Sequence, residues 1–200
     1  MRKIVIICVA AIGIGIAAGI SFFIARDALA QIPGDVELQT HNNEEFRFGD
    51  DHTKVKLIEF IYTHCPDICP TTTQKMAMLK EDLKEKGVFG KEVEFITITI
   101  DPYRDTPEVM KNYMKMFEIE DDGGWLFLTG DASNLKKSHE QIRKTAEPFQ
   151  FQYKDPGNGF FIHSTFTYLV NENNRFIEKF PMGNDFDKQA VLKEILDEIE

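Results

Sequence analysis

At 200 residues and 23.0 kDa the chain fits one ordinary domain with an appendage, which excludes a multidomain assembly. Its 42% hydrophobic and 28% charged residues supply a core and exclude the composition of a disordered protein. A net charge of −10 offers no basic field for a phosphate backbone, so no nucleic-acid partner is expected, and three cysteines cannot build a dense disulfide framework.

In chain order, Ile4 to Ile24 carries no charge, and a helix of that length rises about 30 Å, the thickness of a hydrocarbon core. This predicts a transmembrane anchor over 4–24. Arg2 and Lys3 precede it, whereas Arg26 alone follows before Asp27, Asp35 and Glu37, so the N-terminus is expected in the cytoplasm and the rest outside. A cleavable signal peptide ending at Ala28-Leu29-Ala30 is the alternative, although its apolar region usually spans only about 7–15 residues. Cys8 lies mid-span and reads as a small hydrophobe. A tether over 25–35 then leads into a domain over 36–200, with a small hairpin expected before His52 and outside the central sheet.

Val55 to Thr63 is β-branched and aromatic with little polar alternation, as suits a strand covered on both faces. It runs into His64-Cys65-Pro66-Asp67-Ile68-Cys69-Pro70, and Thr71 to Lys86 then reads as a helix stopped by Gly87. Val93 to Ile100 is a second buried-type strand. Thr106 and Pro107 open a helix whose apolar face holds Met110, Tyr113 and Met114. A short strand at Trp125 to Leu128, a helix from Ala132 to Thr145, strands at Thr165 to Val170 and Arg175 to Phe180, and a closing helix through Val191 and Ile195 follow. This order predicts an α/β fold: a thioredoxin-like mixed sheet with helices on both faces.

Cys65 stands where a strand turns into a helix, so unpaired amides and the positive helix end favour its thiolate. The spacing to Cys69 allows a structural disulfide, a redox pair or a two-point chelate. A metal needs a further donor, and the candidates are His41, His52, His64, His139 and His163. His163 ranks first, because it precedes a strand whose start faces the cysteine loop in such a sheet, and His64 ranks second. Two thiolates and one imidazole suit copper, as Cu(I) or Cu(II), better than zinc, whose structural sites take four ligands. Metal-bound sulfurs sit on the order of 3.7 Å apart against about 2.05 Å in a disulfide, so metal and disulfide are competing states. Asp67, between the cysteines, is a candidate for tuning their charge. Met110 and Met114, and the turn Asp101, Arg104 and Asp105, read as core packing and a capped turn.

The stretch from Phe60 to Pro70, the run Asp101-Pro102-Tyr103-Arg104-Asp105-Thr106-Pro107, Leu128-Thr129-Gly130 and His163-Ser164-Thr165 together resemble the Sco/SenC family, in order from about residue 31 onward. The resemblance implies a membrane-anchored, thioredoxin-like copper protein that assists assembly of the dinuclear copper centre of cytochrome c oxidase. It implies copper ligation by Cys65, Cys69 and His163, and it makes the oxidase subunit that carries that centre the expected partner, with other copper chaperones or thiol reductants alongside. The expected role is that of a metallochaperone rather than a turnover enzyme, on the outer face of a bacterial membrane. A thiol–disulfide oxidoreductase using Cys65 and Cys69, or a copper or redox sensor, is the alternative. Many relatives place Asp before the ligand histidine; here Ile162 stands there, so a carboxylate neighbour is missing.

Overall fold

The computed structural model describes residues 2–28, 30–50 and 53–200, so the cleavage reading at Leu29 and the candidate ligand His52 fall outside the described residues. Residues Arg2–Ala28 form helix α1. Among the described residues no helix is long and apolar enough to cross a membrane. The expected span therefore rests on the uncharged sequence run, whose side chains are described only in part.

The domain is built on a mixed sheet of seven strands among the described residues, in the order β2-β1-β5-β4-β3-β8-β9. These are β1 (Glu37–Thr40), β2 (Glu45–Arg47), β3 (Val55–Ile61), β4 (Val93–Thr99), β5 (Trp125–Thr129), β8 (Phe166–Val170) and β9 (Phe176–Pro181). Strands β3, β4 and β5 run parallel, and β8 and β9 continue the sheet antiparallel. Every residue of β3 and β4 is buried, which is why neither strand shows polar alternation in the sequence. Successive side chains face opposite ways. Glu59 meets Thr73 and Thr97 on one face, while Phe60 on the other packs against Phe149, Phe151 and Tyr168.

The hairpin differs from its sequence reading. Strand β1 pairs with β5 through Gln39 opposite Thr129 and Thr40 opposite Leu128, so the hairpin extends the main sheet. That partner is remote in sequence and leaves no local signal. The segment just before it is packed as well: Ile32 is buried and its N–H donates to the Asn174 carbonyl. His41 closes this edge, accepting the Phe127 N–H at Nδ1 and holding Asp121 at 2.9 Å through Nε2.

Helix α2 (Ile68–Glu85) begins three residues before the expected start, which places Cys69 in its first turn. Pro70 does not prevent this, because first-turn amides have no carbonyl partner inside the helix. Gly87 ends it at φ +74°, a conformation natural to glycine. Helix α3 (Pro107–Met116) starts as the sequence indicates, with the Thr106 hydroxyl accepting the Val109 N–H. Helix α4 (Leu135–Ala146) starts later than expected because the Asn134 side chain caps it through the Lys137 N–H. The closing helix α5 (Lys188–Ile199) buries Val191 and Ile195.

Between α4 and β8 a second sheet, β6 (Tyr153–Lys154) with β7 (Ile162–His163), occupies the segment that is too long for a plain connection. Tyr153 lies opposite His163 across this pair. The short hairpin is what carries the histidine to the end of β3.

Candidate metal centre

Strand β3 ends at Ile61, and Thr63 to Asp67 turns into α2. The turn is anchored from below by Asp105, fully buried, whose carboxylate accepts the Thr63 N–H at 3.0 Å together with the hydroxyls of Thr63 and Thr99. Burial pushes the Asp105 carboxyl up, against the pull of these bonds. The expected capped turn is therefore also a strut beneath the cysteine loop.

Cys65 and Cys69 are both free thiols, buried at the helix start. The Cys69 N–H donates to the Cys65 sulfur at 3.4 Å. The Cys65 thiol is pulled down to about 4, first by the Cys69 thiol donating to it, then by His163 and the backbone N–H groups of Asp67 and Cys69, with burial opposing. Cys69 moves upward, because its proton is held on the Cys65 sulfur and because it is buried beside that charge. One sulfur is a thiolate and its neighbour keeps the proton.

His163 completes the cluster, with ligand atoms of Cys65, Cys69 and His163 all within 4.8 Å of one another. Its Nε2 stands 3.9 Å from the Cys69 sulfur. Its Nδ1 lies 2.8 Å from the Ser164 carbonyl, which only accepts, so Nδ1 donates there and Nε2 is the nitrogen turned toward the sulfurs. Phe151 stacks on the imidazole and the Tyr62 ring meets it edge-on, both at 5.9 Å between centroids. Burial, followed by the Cys65 charge, pushes the Tyr62 phenol up to about 12, so it stays protonated. Two soft sulfurs and an oriented imidazole fit a thiophilic ion of low coordination number.

The other histidines stay apart. His41 is the edge latch described above. His64 is exposed and its Nδ1 lies 3.5 Å from the Thr63 hydroxyl, and His139 sits on α4. Asp67 is exposed and its carboxylate does not cap α2; its backbone N–H is the group that reaches Cys65. Ile162 points outward, 67% exposed, and the Ser164 carbonyl orients the imidazole in place of the missing carboxylate. No residue-type signal could have revealed a backbone carbonyl in that role.

Sequence reading also missed Glu59, fully buried in β3 one face away from the aromatic cluster. It accepts the hydroxyls of Thr97 at 2.7 Å and Thr73 at 3.2 Å, and Thr97 in turn accepts the Trp125 indole N–H at 2.8 Å. Burial pushes its carboxyl up to about 7. A lone acid inside an apolar strand was the available signal.

The fold and this cluster define a thioredoxin-like α/β domain with a dithiol–imidazole centre at its strand-to-helix turn. The SCO1/SenC family model matches residues 25–200, and the chain belongs to that family. It is 35% identical over 150 residues to the SCO2-like protein of Rickettsia felis, covering 75% of this chain and 69% of the relative. Among solved structures it is similar to a SCO1/SenC family lipoprotein from Bacillus anthracis, with 28% identity, a TM-score of 0.74 and coverage of 86% of this chain and 97% of the other. It is also similar to Arabidopsis thaliana ScoI with copper bound, at 26% identity and a TM-score of 0.67, covering 84% of this chain and 98% of the other.

Proposed function

We propose that this chain binds copper through Cys65, Cys69 and His163 and hands it on during assembly of the dinuclear copper centre of cytochrome c oxidase. The carrying observation is the donor set itself: two cysteine sulfurs and an imidazole nitrogen converge within 4.8 Å, with the ring oriented by the Ser164 carbonyl. Three such donors suffice for Cu(I), and Cu(II) tops the divalent affinity order, whereas zinc would lack its fourth ligand. Copper is cargo here. Membership in the SCO1/SenC family and the copper held by the similar Arabidopsis protein support the same ion.

The uncharged run Ile4–Ile24 supports a membrane anchor, followed by a spacer over 25–35 and the domain over 36–200; Arg2 and Lys3 support an outward-facing domain, and the similarity to Rickettsia and Bacillus proteins supports a bacterial membrane. The partner is the oxidase subunit that bears the copper centre, with copper donors or thiol reductants upstream.

Anaerobic titration of the reduced chain with Cu(I) and Cu(II) tests this reading. One ion per chain with sulfur-to-metal charge-transfer absorption, lost in His163→Ala, is the expected result; full occupancy in that variant overturns it. A second reading draws on the sulfur asymmetry. A Cys65 thiolate beside a protonated Cys69 is arranged to attack a disulfide, which would pass two electrons and the Cys69 proton to the oxidase's cysteine pair, leaving that pair as one thiol and one thiolate and this chain with a Cys65–Cys69 disulfide. If His163→Ala loses the metal yet still supports oxidase assembly, this reductase reading replaces the first.

A further inference from the structure

Beside the metal centre lies an open groove of about 660 Å³, bounded by the turn before α3, one stripe of α4 and the β6–β7 hairpin. Leu135, His139 and Arg143 recur every fourth residue, so they share the helical face that forms one wall. The groove ends at Phe161, whose ring is 5.3 Å from that of Tyr62, and Tyr62 borders the His163 imidazole. Its other wall includes Tyr153, the residue paired across the strands with His163. Whatever fills the groove therefore grips the hairpin that carries the histidine.

The lining is cationic in a chain of net charge −10. Its two carboxylates are engaged: Asp101 pairs with Arg104, and Asp155 accepts the Gly157 N–H at 2.7 Å. Arg104 is used up as well, donating to the Gly159 carbonyl at 3.0 Å and lying over the Phe161 ring. Arg143 stands beside the Tyr153 hydroxyl, and neither it nor Lys154 has a carboxylate partner among the described residues. The Tyr153 hydroxyl is buried beside Arg143 and has no acceptor for its own proton among the described residues, which an incoming carboxylate would supply. Around the mouth, Tyr103 and Phe160 stand 71% and 52% exposed, and Ile162 lies beside His163. Exposed apolar groups around unpaired cations are the composition of a protein-binding patch rather than of a solvated face.

We infer that this groove docks an acidic segment of the protein with which copper is exchanged. Carboxylates of that segment meet Arg143, Lys154 and the Tyr153 hydroxyl, and its apolar residues cover Tyr103, Phe160 and Ile162. A lone small anion would use the cations but leave the apolar rim bare. The identity of the partner as a copper acceptor or donor rests on the function proposed above; the chemistry of the groove does not.

The test uses the full chain, reduced, in detergent, with a fluorescein-labelled glutamate-rich peptide flanked by tyrosine and leucine as probe and fluorescence anisotropy as readout. The acidic peptide is expected to bind at low salt and weaken as salt rises, with its glutamine counterpart about tenfold weaker or worse. The double variant Arg143→Ala, Lys154→Ala should weaken binding by about tenfold, and Tyr153→Phe by about fivefold. Lys193→Ala, on the distant α5, should change nothing. Copper stoichiometry equal to the parent's shows that the variants remain folded. Unchanged binding in the double variant, equal binding of the glutamine peptide, or displacement by millimolar inorganic phosphate overturns the inference. If the parent binds the peptide but takes up no copper, the copper reading fails and the groove stands.

Discussion

The Nε2 of His163 lies 3.9 Å from the sulfur of Cys69 across 94 residues of sequence. That approach depends on a two-strand hairpin and on the Ser164 carbonyl, which accepts the Nδ1 N–H and turns Nε2 toward the sulfurs. A backbone carbonyl thus orients the imidazole where many relatives would have a carboxylate beside it.

Cys65 should alkylate far faster than Cys69. Its thiol is pulled down to about 4, so the rate with iodoacetamide should stay level from pH 8 to about 5 and fall only near pH 4. Cys69, pushed upward, should react only after Cys65 is blocked or oxidised. Mass mapping of the labelled cysteine at each pH checks this, and preferential labelling of Cys69 would contradict the assigned roles.

Copper should protect both thiols. Bound sulfurs are held on the order of 3.7 Å apart, too far for the 2.05 Å bond of a disulfide, so ion and disulfide exclude one another. Cu(I)-loaded protein should resist alkylation and mild oxidants. The disulfide form, prepared without metal, should bind copper at least about 100-fold more weakly, read by competition with a Cu(I) chelator.

Glu59 should make stability depend on pH. Its folded value of about 7 lies above the ordinary 4.5, so the folded state holds a proton that the unfolded chain has released. Stability is fully present below the unfolded value and declines between about pH 4.5 and 7, by about 3 kcal/mol for this group. Glu59→Gln should remove that decline, leaving the variant more stable than the parent at pH 8. Urea unfolding at pH 4.5, 6 and 8 measures it; parallel curves for the two proteins would refute the assignment.

Asp105→Ala should loosen the cysteine loop from beneath. It strips the acceptor from the Thr63 N–H and from the hydroxyls of Thr63 and Thr99, all in a buried setting. A loss of about 3 kcal/mol is expected, with weaker copper binding at unchanged stoichiometry. Asp105→Asn, which keeps an acceptor, should fall between. A loss below about 0.5 kcal/mol would show that the strut carries no load.

Much of this was legible along the chain. Unbroken apolar runs at Val55 to Ile61 and Val93 to Thr99 announce doubly covered strands, and Thr106-Pro107 announces a helix start, because burial and capping leave their marks on adjacent residues. The cysteine pair was visible for the same reason: both sulfurs belong to one turn. His163 was singled out as the remote imidazole only through the expected sheet order, which sets the start of its strand opposite the cysteine loop, and through the family resemblance.

Contacts between distant segments had no such mark. Only the folded chain decided that the hairpin at Glu37–Arg47 joins the sheet edge beside β5, that Pro70 lies inside α2, and that Asp105 props Thr63. It also decided which imidazole nitrogen faces the sulfurs, since a backbone carbonyl sets it and every residue type has one. Sequence records what neighbours along the chain require of one another; pairings across the fold depend on register and on backbone groups common to all residues, and those exist only once the chain has closed on itself.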